Sequence, residues 1–373
     1  MNPLLRLKEH GQSVYLDEIR RSWLVDGTLR TLIERDGLAG VTSNPAIFNK
    51  AIARSGDYQE AIAALARRGA TVEQAYEELV VEDIQRAADL FRDAYEASGG
   101  SEGFVSLEVS PEVAHDEEAT YAEAVHLWRR LDRPNVFIKV PATVEGLGAI
   151  RRLIADGINV NVTLLFSLER YERTIDAYMA GLEERLQSGE DVRGVASVAS
   201  FFLSRFDVHV DPLLDALGTE QAKALRGQAA VAYAKVAYEV YQRRFSDADE
   251  RWRRLAAAGA RPQRLLWAST GTKDPSYPDT KYVEPLIGPE TINTMPLETL
   301  DAYRDHGDPA PRVTEGLAEA KRAIADLKAL GVDLEEVAAK LEAEGVEKFV
   351  TPFHSLLRTL EGALREASVS AGG

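Results

Sequence analysis

Eight short apolar runs recur along the chain, and longer segments with helical spacing of apolar residues separate them. The runs are SVYLD (13–17), GVTSN (40–44), FVSLEV (104–109), VFIKVP (136–141), INVNVTLLF (158–166), GVASVASFF (194–202), RLLWAS (264–269) and ETINTM (290–295). Strands that alternate with amphipathic helices favour a parallel sheet, because each helix carries the chain back to the start of the next strand. Eight is the strand number of a closed (β/α)₈ TIM barrel, so the pattern predicts this α/β fold.

The helical segments carry further signals. Ser167 and Ser204 each follow a predicted strand directly, which predicts that both are N-caps. The helical run 223–258 is longer than one crossover requires, so we expect a break within it. Terminal helices are predicted over about 313–368, and the insert at 51–100 is long enough to cover a site. No linker interrupts the series, which predicts a single domain over residues 1–373.

Composition narrows the class of protein. Of the 373 residues 45% are hydrophobic, which is enough to build a large core. The chain has no cysteine, which excludes disulfides, thiolate nucleophiles and cysteine-ligated metals. A formal net charge of −16 argues against nucleic acid as a partner. No stretch approaches the roughly 20 apolar residues of a membrane span, so we expect a cytoplasmic protein that does not enter a membrane.

Metal and nucleotide sites have little support in the sequence. The six histidines are scattered without ligand spacing, and no GxGxxG follows a predicted strand. The segment GTKD at 271–274 lacks the spacing of a phosphate-binding P-loop. We therefore expect no metal and no cofactor.

Polar residues stand at the ends of the predicted strands, where a (β/α)₈ barrel carries its chemistry. In chain order they are Asp17, Asn44, Glu108, Lys139, Asn161, Thr163, Ser200, Arg205 and Ser269. A buried polar group without a partner costs about 1–3 kcal/mol, and a charge costs more. A ring of such groups therefore indicates a functional site.

Lys139 lies among Val136, Phe137, Ile138 and Val140, which have the character of a buried strand. One interpretation is a lysine that reaches solvent or forms a structural ion pair with a neighbouring carboxylate. The other is an amine nucleophile, since an apolar environment favours the neutral, reactive amine. The residues of this strand alone leave both interpretations open.

A Schiff base on a lysine also needs a proton carrier, and Asp17 and Glu108 are candidates for this role. Each has another interpretation, because Asp17 could cap the next helix and Glu108 could be a charge on the barrel rim. Thr163 could hold a water beside Glu108, although threonine is also a common strand former. The occurrence of all these residues together favours the catalytic interpretation.

Several segments resemble the transaldolase family in the same order along the chain. They are VTSNP (41–45), VSLEVSP (105–111), FIKVPAT (137–143), GINVNVTLLFS (157–167) and EGVEKF (344–349). The chain length and the segment STGTKDP (269–275) resemble those of the longer bacterial transaldolases. These include the transaldolase half of fusions with glucose-6-phosphate isomerase. The resemblance covers most of the chain.

The resemblance implies a class I aldolase-type barrel that needs no metal and has extra C-terminal helices. Such an enzyme transfers a dihydroxyacetone unit from sedoheptulose 7-phosphate or fructose 6-phosphate to glyceraldehyde 3-phosphate or erythrose 4-phosphate, in the non-oxidative pentose phosphate pathway. By resemblance, Lys139 forms the Schiff base and Asp17 is the general acid/base for cleavage of the carbon–carbon bond. Glu108 and Thr163 position the catalytic water, and Glu108 also relays protons. For the oligomeric state we expect a monomer or a homodimer, and the resemblance does not distinguish between them.

The resemblance also assigns the residues that bind substrate. Asn44 and Asn161 are similar to the amides that hold hydroxyls of the dihydroxyacetone unit, and Ser200 to the hydroxyl at its far end. Arg205 resembles a phosphate ligand, a role that suits its planar fork. Better-known transaldolases have a serine and then a second arginine after the seventh strand, whereas this chain has Ser269 and, as the nearby cation, Lys273. Gly271 and Thr272 could offer a backbone N–H and a hydroxyl to the same phosphate.

Two alternatives to a transaldolase remain at this point. A fructose-6-phosphate aldolase-like enzyme would share the lysine and the aspartate but would release free dihydroxyacetone. Those enzymes are shorter and have glutamine where Glu108 stands and tyrosine where Phe202 stands. The other alternative is a barrel that binds a phosphosugar without converting it. Such a protein would not need Asp17, Glu108 and Lys139 together, so their joint occurrence argues against it.

Overall fold

Eight parallel strands close into a barrel, in which each strand pairs with the next along the chain and the last pairs with the first. The computed structural model describes residues 2–371, without the side chains of residues 54, 370 and 371, so residues 1, 372 and 373 of the predicted domain lie outside the description. The strands are β1 (Gln12–Leu16), β2 (Gly40–Val41), β3 (Phe104–Glu108), β4 (Val136–Pro141), β5 (Val160–Leu165), β6 (Ser197–Phe202), β7 (Arg264–Ala268) and β8 (Thr291–Met295). Each predicted run overlaps one of them, and the predicted barrel is confirmed.

Helices surround the barrel and cover one end of it. They are α1 (Pro3–Leu7), α2 (Arg21–Val25), α3 (Thr28–Asp36), α4 (Pro45–Arg54), α5 (Gln59–Arg67), α6 (Val72–Leu90), α7 (Arg92–Ala97), α8 (Glu117–Leu131), α9 (Val144–Ala155), α10 (Leu168–Gln187), α11 (Ser204–Leu217), α12 (Glu220–Leu225), α13 (Ala229–Arg244), α14 (Glu250–Ala257), α15 (Leu297–His306), α16 (Leu317–Ala329) and α17 (Leu334–Ala371). Short 3₁₀ helices lie at Lys8–His10, Pro111–Val113 and Glu284–Leu286. The predicted break in 223–258 is confirmed, since three helices share that run.

The strands are buried on both faces, as expected for a parallel sheet that packs on helices outside and on its own side chains inside. One continuous cluster of buried apolar residues extends from Leu4 to Leu364 and includes residues of the strands and of α17. The continuity of this cluster supports the proposal that the chain forms one domain.

The strand register brings polar residues of three neighbouring strands side by side. Glu108 on β3 pairs with Lys139 on β4, and Lys139 pairs with Asn161 on β5. The register between β5 and β6 then shifts next to Leu164, which has a φ of 54°. Such irregularities re-aim side chains at the rims of barrels.

One of the two predicted N-caps is confirmed. The Ser167 side chain accepts a hydrogen bond from the Arg170 N–H and begins α10. The prediction for Ser204 is wrong, because Leu203 is the N-cap residue of α11 and Ser204 already lies inside the helix. The Ser204 hydroxyl instead makes a 2.9 Å hydrogen bond with that of Ser269, which ties the start of α11 to the end of β7.

The last helix reaches the end of the barrel that carries the predicted site. Helix α17 packs against α4, α5 and α6, which the chain forms after β2, and also contacts β5 and α11. Among the described side chains of the insert at 51–100, none lines the cavity described below, so the expectation that the insert covers the site needs correction. Helices of the insert pack against α17 instead, and α17 contributes Phe349 to the cavity wall.

Candidate active site

Lys139 lies in the middle of the polar group at the C-terminal ends of the strands. Its side chain is 5% exposed, and its Nζ donates hydrogen bonds of 3.1 Å to Glu108 Oε2 and to the carbonyl oxygen of Ser43. The ring of Phe349 lies on another side, with its centroid 5.7 Å from Nζ. The structure thus holds the amine at a fixed point and keeps bulk water away from it.

Glu108 and Lys139 form a buried ion pair, since the Glu108 side chain is only 3% exposed. Burial raises the pKa of the Glu108 carboxyl above its ordinary value, and the charge of Lys139 opposes this increase. A carboxyl group with a raised pKa is a better proton carrier near neutral pH than an ordinary one. Glu108 is therefore placed to accept a proton from the Lys139 amine and to return it.

Asp17 directly follows β1 and belongs to a short chain of hydroxyls. Thr42 donates a 2.7 Å hydrogen bond to Asp17 Oδ1, and its hydroxyl lies 2.6 Å from that of Thr294. A hydroxyl has one proton, so when Thr42 donates to Asp17 it accepts from Thr294. Burial raises the pKa of Asp17, while the charge of Lys139 lowers it. Asp17 is thus a second carboxyl group suited to proton transfer.

Amides and hydroxyls line the wall next to Lys139. The Ser200 hydroxyl donates to Asn161 Oδ1 at 2.7 Å, and Asn161 Nδ2 donates to the Ser106 hydroxyl at 3.1 Å. Asn44 is the N-cap of α4, where its Oδ1 accepts from the Ile47 N–H at 3.0 Å. Its Nδ2 is therefore the atom of this side chain that remains to donate to a bound hydroxyl.

Thr163 lies on β5, paired in register with Pro141 at the end of β4. Its hydroxyl is fully buried and has no hydrogen-bond partner among the described residues. An unsatisfied buried hydroxyl costs about 1–3 kcal/mol, so its retention needs a reason. A catalytic water held between Thr163 and Glu108 would supply one.

Arg205, in the first turn of α11, extends its guanidinium among three aromatic rings. The centroids of Phe202, Phe349 and Phe166 lie 5.1, 5.8 and 6.0 Å from its Cζ. Burial lowers the pKa of the guanidinium, and its Nη1 is buried without a hydrogen-bond partner among the described residues. A cation with an unused donor at this position is suited to bind an anion such as phosphate.

The loop after β7 carries the other predicted phosphate contacts. Ser269 has a φ of 55° and lines the cavity, whereas Lys273 is exposed and lies outside its lining. Lys273 is still close enough for its charge to lower the pKa of Asp17. The Thr272 hydroxyl donates to the Pro278 carbonyl oxygen at 2.9 Å, so its proton is not free for a phosphate.

These groups surround a cavity of about 80 Å³. Six predicted site residues line it, namely Asp17, Asn44, Lys139, Ser200, Arg205 and Ser269. Glu108, Asn161, Thr163 and Lys273 do not line the cavity; the first three are buried, and Lys273 is exposed. The remaining lining residues are Thr42, Phe202, Ala268, Thr294 and Phe349.

Sequence reasoning missed three of these contributors. Thr42 and Thr294 lie near the ends of predicted strands and could have been found by the same rule that found Asp17. Phe349 is not at a strand end. Its signal was the EGVEKF segment (344–349), which resembles transaldolases but does not by itself show that the helix reaches the cavity. No group of three or more His, Asp or Glu side chains within residues 2–371 could hold a metal ion. No helix in that part of the chain is long and apolar enough to cross a membrane.

Comparison with known proteins agrees with this geometry. The chain is 50% identical to a transaldolase of Parafrankia sp. (strain EAN1pec) over 98% of its own length and 99% of that protein. It is 51% identical to a transaldolase of Thermobifida fusca over 95% and 96% of the two chains, and 47% identical to transaldolase 2 of a Nostoc species over 98% of each. Residues 14–360 match the transaldolase/fructose-6-phosphate aldolase family. With its closed barrel and buried lysine site, the chain belongs to this family.

Proposed function

We propose that this protein is a transaldolase that uses Lys139 as its Schiff-base nucleophile. It transfers a dihydroxyacetone unit from sedoheptulose 7-phosphate or fructose 6-phosphate to glyceraldehyde 3-phosphate or erythrose 4-phosphate. The observation that carries the proposal is the buried amine of Lys139, held at 3.1 Å from Glu108 at the mouth of the barrel. Near 50% identity to transaldolases over almost the whole chain supports the same reaction.

In the proposed mechanism, the amine attacks the ketone carbon of the donor sugar, and loss of water gives the imine. Glu108 receives and returns the protons of this step through a water held with Thr163. Asp17 then takes the proton of the C4 hydroxyl while the C3–C4 bond breaks, which releases an aldose phosphate. The three-carbon enamine on Lys139 attacks the aldehyde carbon of the acceptor, and Asp17 returns the proton. Water then adds to the resulting iminium carbon and the C–N bond breaks, which releases the new ketose phosphate and the free amine of Lys139.

The remaining site residues bind the sugar. Asn44 and Ser200 in the cavity lining, and Asn161 outside it, offer hydrogen bonds to the hydroxyls of the three-carbon unit, and Ser269 lines the same cavity. Arg205 binds the phosphate with its unused Nη1 donor. Lys273 adds a mobile positive charge outside the cavity lining, which suits the phosphate of either the donor or the acceptor.

The family also contains fructose-6-phosphate aldolases, which share the lysine. Glu108 and Phe202 favour transfer, since the aldolases have glutamine and tyrosine at these places. We further infer a cytoplasmic enzyme that acts as a monomer or homodimer and needs no metal or cofactor.

Reduction with borohydride tests the proposal. In the presence of fructose 6-phosphate, it should add the mass of a reduced dihydroxyacetone unit to the peptide that contains Lys139. Lys139→Met should show no such adduct. An adduct on another peptide, or none on the parent protein, would refute the Schiff-base assignment.

A coupled assay with erythrose 4-phosphate should show turnover that depends on the acceptor.

A further inference from the structure

Phe349 of the terminal helix α17 forms part of the cavity wall, although it is remote in sequence from the barrel strands. Its side chain is buried, and its ring lies close to both Lys139 and Arg205 in the cavity lining. The ring centroid is 5.7 Å from Lys139 Nζ and 5.8 Å from Arg205 Cζ. An apolar ring in this position fills space next to the reacting amine that water would otherwise occupy.

The sequence of α17 allows this close approach. Gly345 lies one turn before Phe349, so both face the barrel. A Cβ at position 345 would lie 3.0 Å from Leu164 Cδ2 and 3.4 Å from Arg205 Nη1. A side chain at position 345 would require the ends of Leu164 and Arg205 to move by a few tenths of an ångström, so Gly345 leaves these two side chains in place beside the Phe349 ring.

Contacts on both sides of Phe349 hold α17 in place. Glu335 accepts hydrogen bonds from the Leu168 N–H at 3.0 Å and from the Ser167 hydroxyl at 2.5 Å, at the start of α10. Further along the helix, His354 lies 2.7 Å from Glu112, in the segment after β3. The helix is thus fastened over the mouth at two separate points.

The small size of the cavity limits the water that can lie beside Lys139, and the Phe349 ring forms part of its wall. Pockets for whole drug-sized ligands typically measure about 300–1,000 Å³, whereas this cavity measures about 80 Å³. This small space suits the three-carbon unit on Lys139. It leaves little room beside that unit for water other than the one proposed between Thr163 and Glu108. Exclusion of water protects reactive intermediates from hydrolysis.

We propose that Phe349 determines reaction specificity by protecting the lysine-bound intermediate from water, so that it is transferred and not hydrolysed. This inference rests on the proposed Schiff-base function. The competing reaction is balanced without any other reactant: the enamine carbon takes up a proton, one water adds to the iminium carbon, and the C–N bond breaks. Its products are dihydroxyacetone and the free amine of Lys139. Phe349 touches none of the bonds that change and acts by controlling access.

The test compares Phe349→Ala with Phe353→Ala. Phe353 lies one helical turn further on, is equally buried, and packs its ring against Tyr76 at 5.3 Å, outside the cavity lining. With fructose 6-phosphate and no acceptor, release of dihydroxyacetone is measured; with erythrose 4-phosphate, transfer is measured. We expect the ratio of release to transfer to rise by about tenfold or more in Phe349→Ala and to stay at the parent value in Phe353→Ala.

Further measurements distinguish a variant that does not fold, a wrong role for Phe349 and a wrong Schiff-base function. Thermal unfolding of each variant reports whether it folds, and Phe349→Leu, which keeps an apolar side chain, should give an intermediate ratio. If borohydride traps Lys139 in the parent but Phe349→Ala leaves the ratio unchanged, the role of Phe349 is refuted and the Schiff base stands. If both phenylalanine variants raise the ratio equally, loosening of α17 is the cause and the specific role of the ring is refuted. If the parent is not trapped, the proposed function itself fails.

Discussion

Replacing Lys139 by methionine tests the buried charge pair at the site. The substitution keeps a long side chain, but Glu108 loses the cation that lies 3.1 Å away. At an effective dielectric constant of about 20, two unit charges at this distance attract each other by about 5 kcal/mol. Removal of one partner of a buried pair costs about 3–5 kcal/mol, so the two values agree. We expect a decrease of this size in the free energy of unfolding where Glu108 is ionised.

The decrease depends on pH, and its sign follows from the pKa of Glu108. Burial raises this pKa in the folded protein, and Lys139 opposes the increase, so the substitution raises the pKa further. In the unfolded chain the pKa is about 4.3. A raised folded pKa gives stability that is complete below the unfolded pKa and is lost as the pH rises through the folded pKa. The loss amounts to at most about 1.4 kcal/mol per pH unit.

Urea unfolding followed by circular dichroism between about pH 5 and pH 8 measures this dependence. Lys139→Met should approach the parent at the acid end and become progressively less stable toward the alkaline end. The double variant Lys139→Met/Glu108→Gln removes both charges, so it should recover most of the stability and show no pH dependence from this pair. A Lys139→Met curve parallel to that of the parent over the whole range would refute the reasoning.

Three further predictions concern single side chains. Thr163→Val removes a buried hydroxyl that has no partner among the described residues, so urea unfolding should show a loss of less than about 1 kcal/mol while kcat falls; a large loss of stability would contradict the catalytic-water role. Lys273→Ala should raise KM for phosphorylated substrates several-fold, about 1 kcal/mol of binding, with little change in kcat; an unchanged KM would move the second phosphate contact to another residue. Glu335→Ala removes the carboxylate that accepts from the start of α10, and should lower the free energy of unfolding by about 1–2 kcal/mol. The exposed neighbour Glu336 provides the control, and an equal loss in Glu336→Ala would refute the capping role.

Most strands were predictable because a strand buried on both faces is mostly apolar along its length. The largest difference is at β2, where the predicted strand extended over residues 40–44 but the observed one ends at Val41. Thr42 donates to Asp17 and the Ser43 carbonyl accepts from Lys139, and a local pattern does not contain these contacts between strands. The Asn44 cap of α4 is local, and it is a signal that a helix starts at this point.

The prediction for Ser204 failed for a related physical reason. A serine directly after a strand has the same local signal whether its hydroxyl caps the helix or bonds elsewhere. Here Ser269, at the end of the neighbouring strand, offers the partner. The choice between the two depended on a contact with the end of the neighbouring strand, which the local sequence does not show.

The barrel could be predicted from the sequence alone, because the alternation of apolar runs and amphipathic segments depends only on local periodicity. The polar residues at the strand ends could be predicted in the same way, since the chain direction of a parallel barrel brings all those ends together. Three contacts could not be predicted: Glu108 pairs with Lys139, Thr42 and Thr294 form a hydrogen-bonded chain to Asp17, and Phe349 lines the cavity. These contacts join different elements of the chain, and packing between the elements selects them.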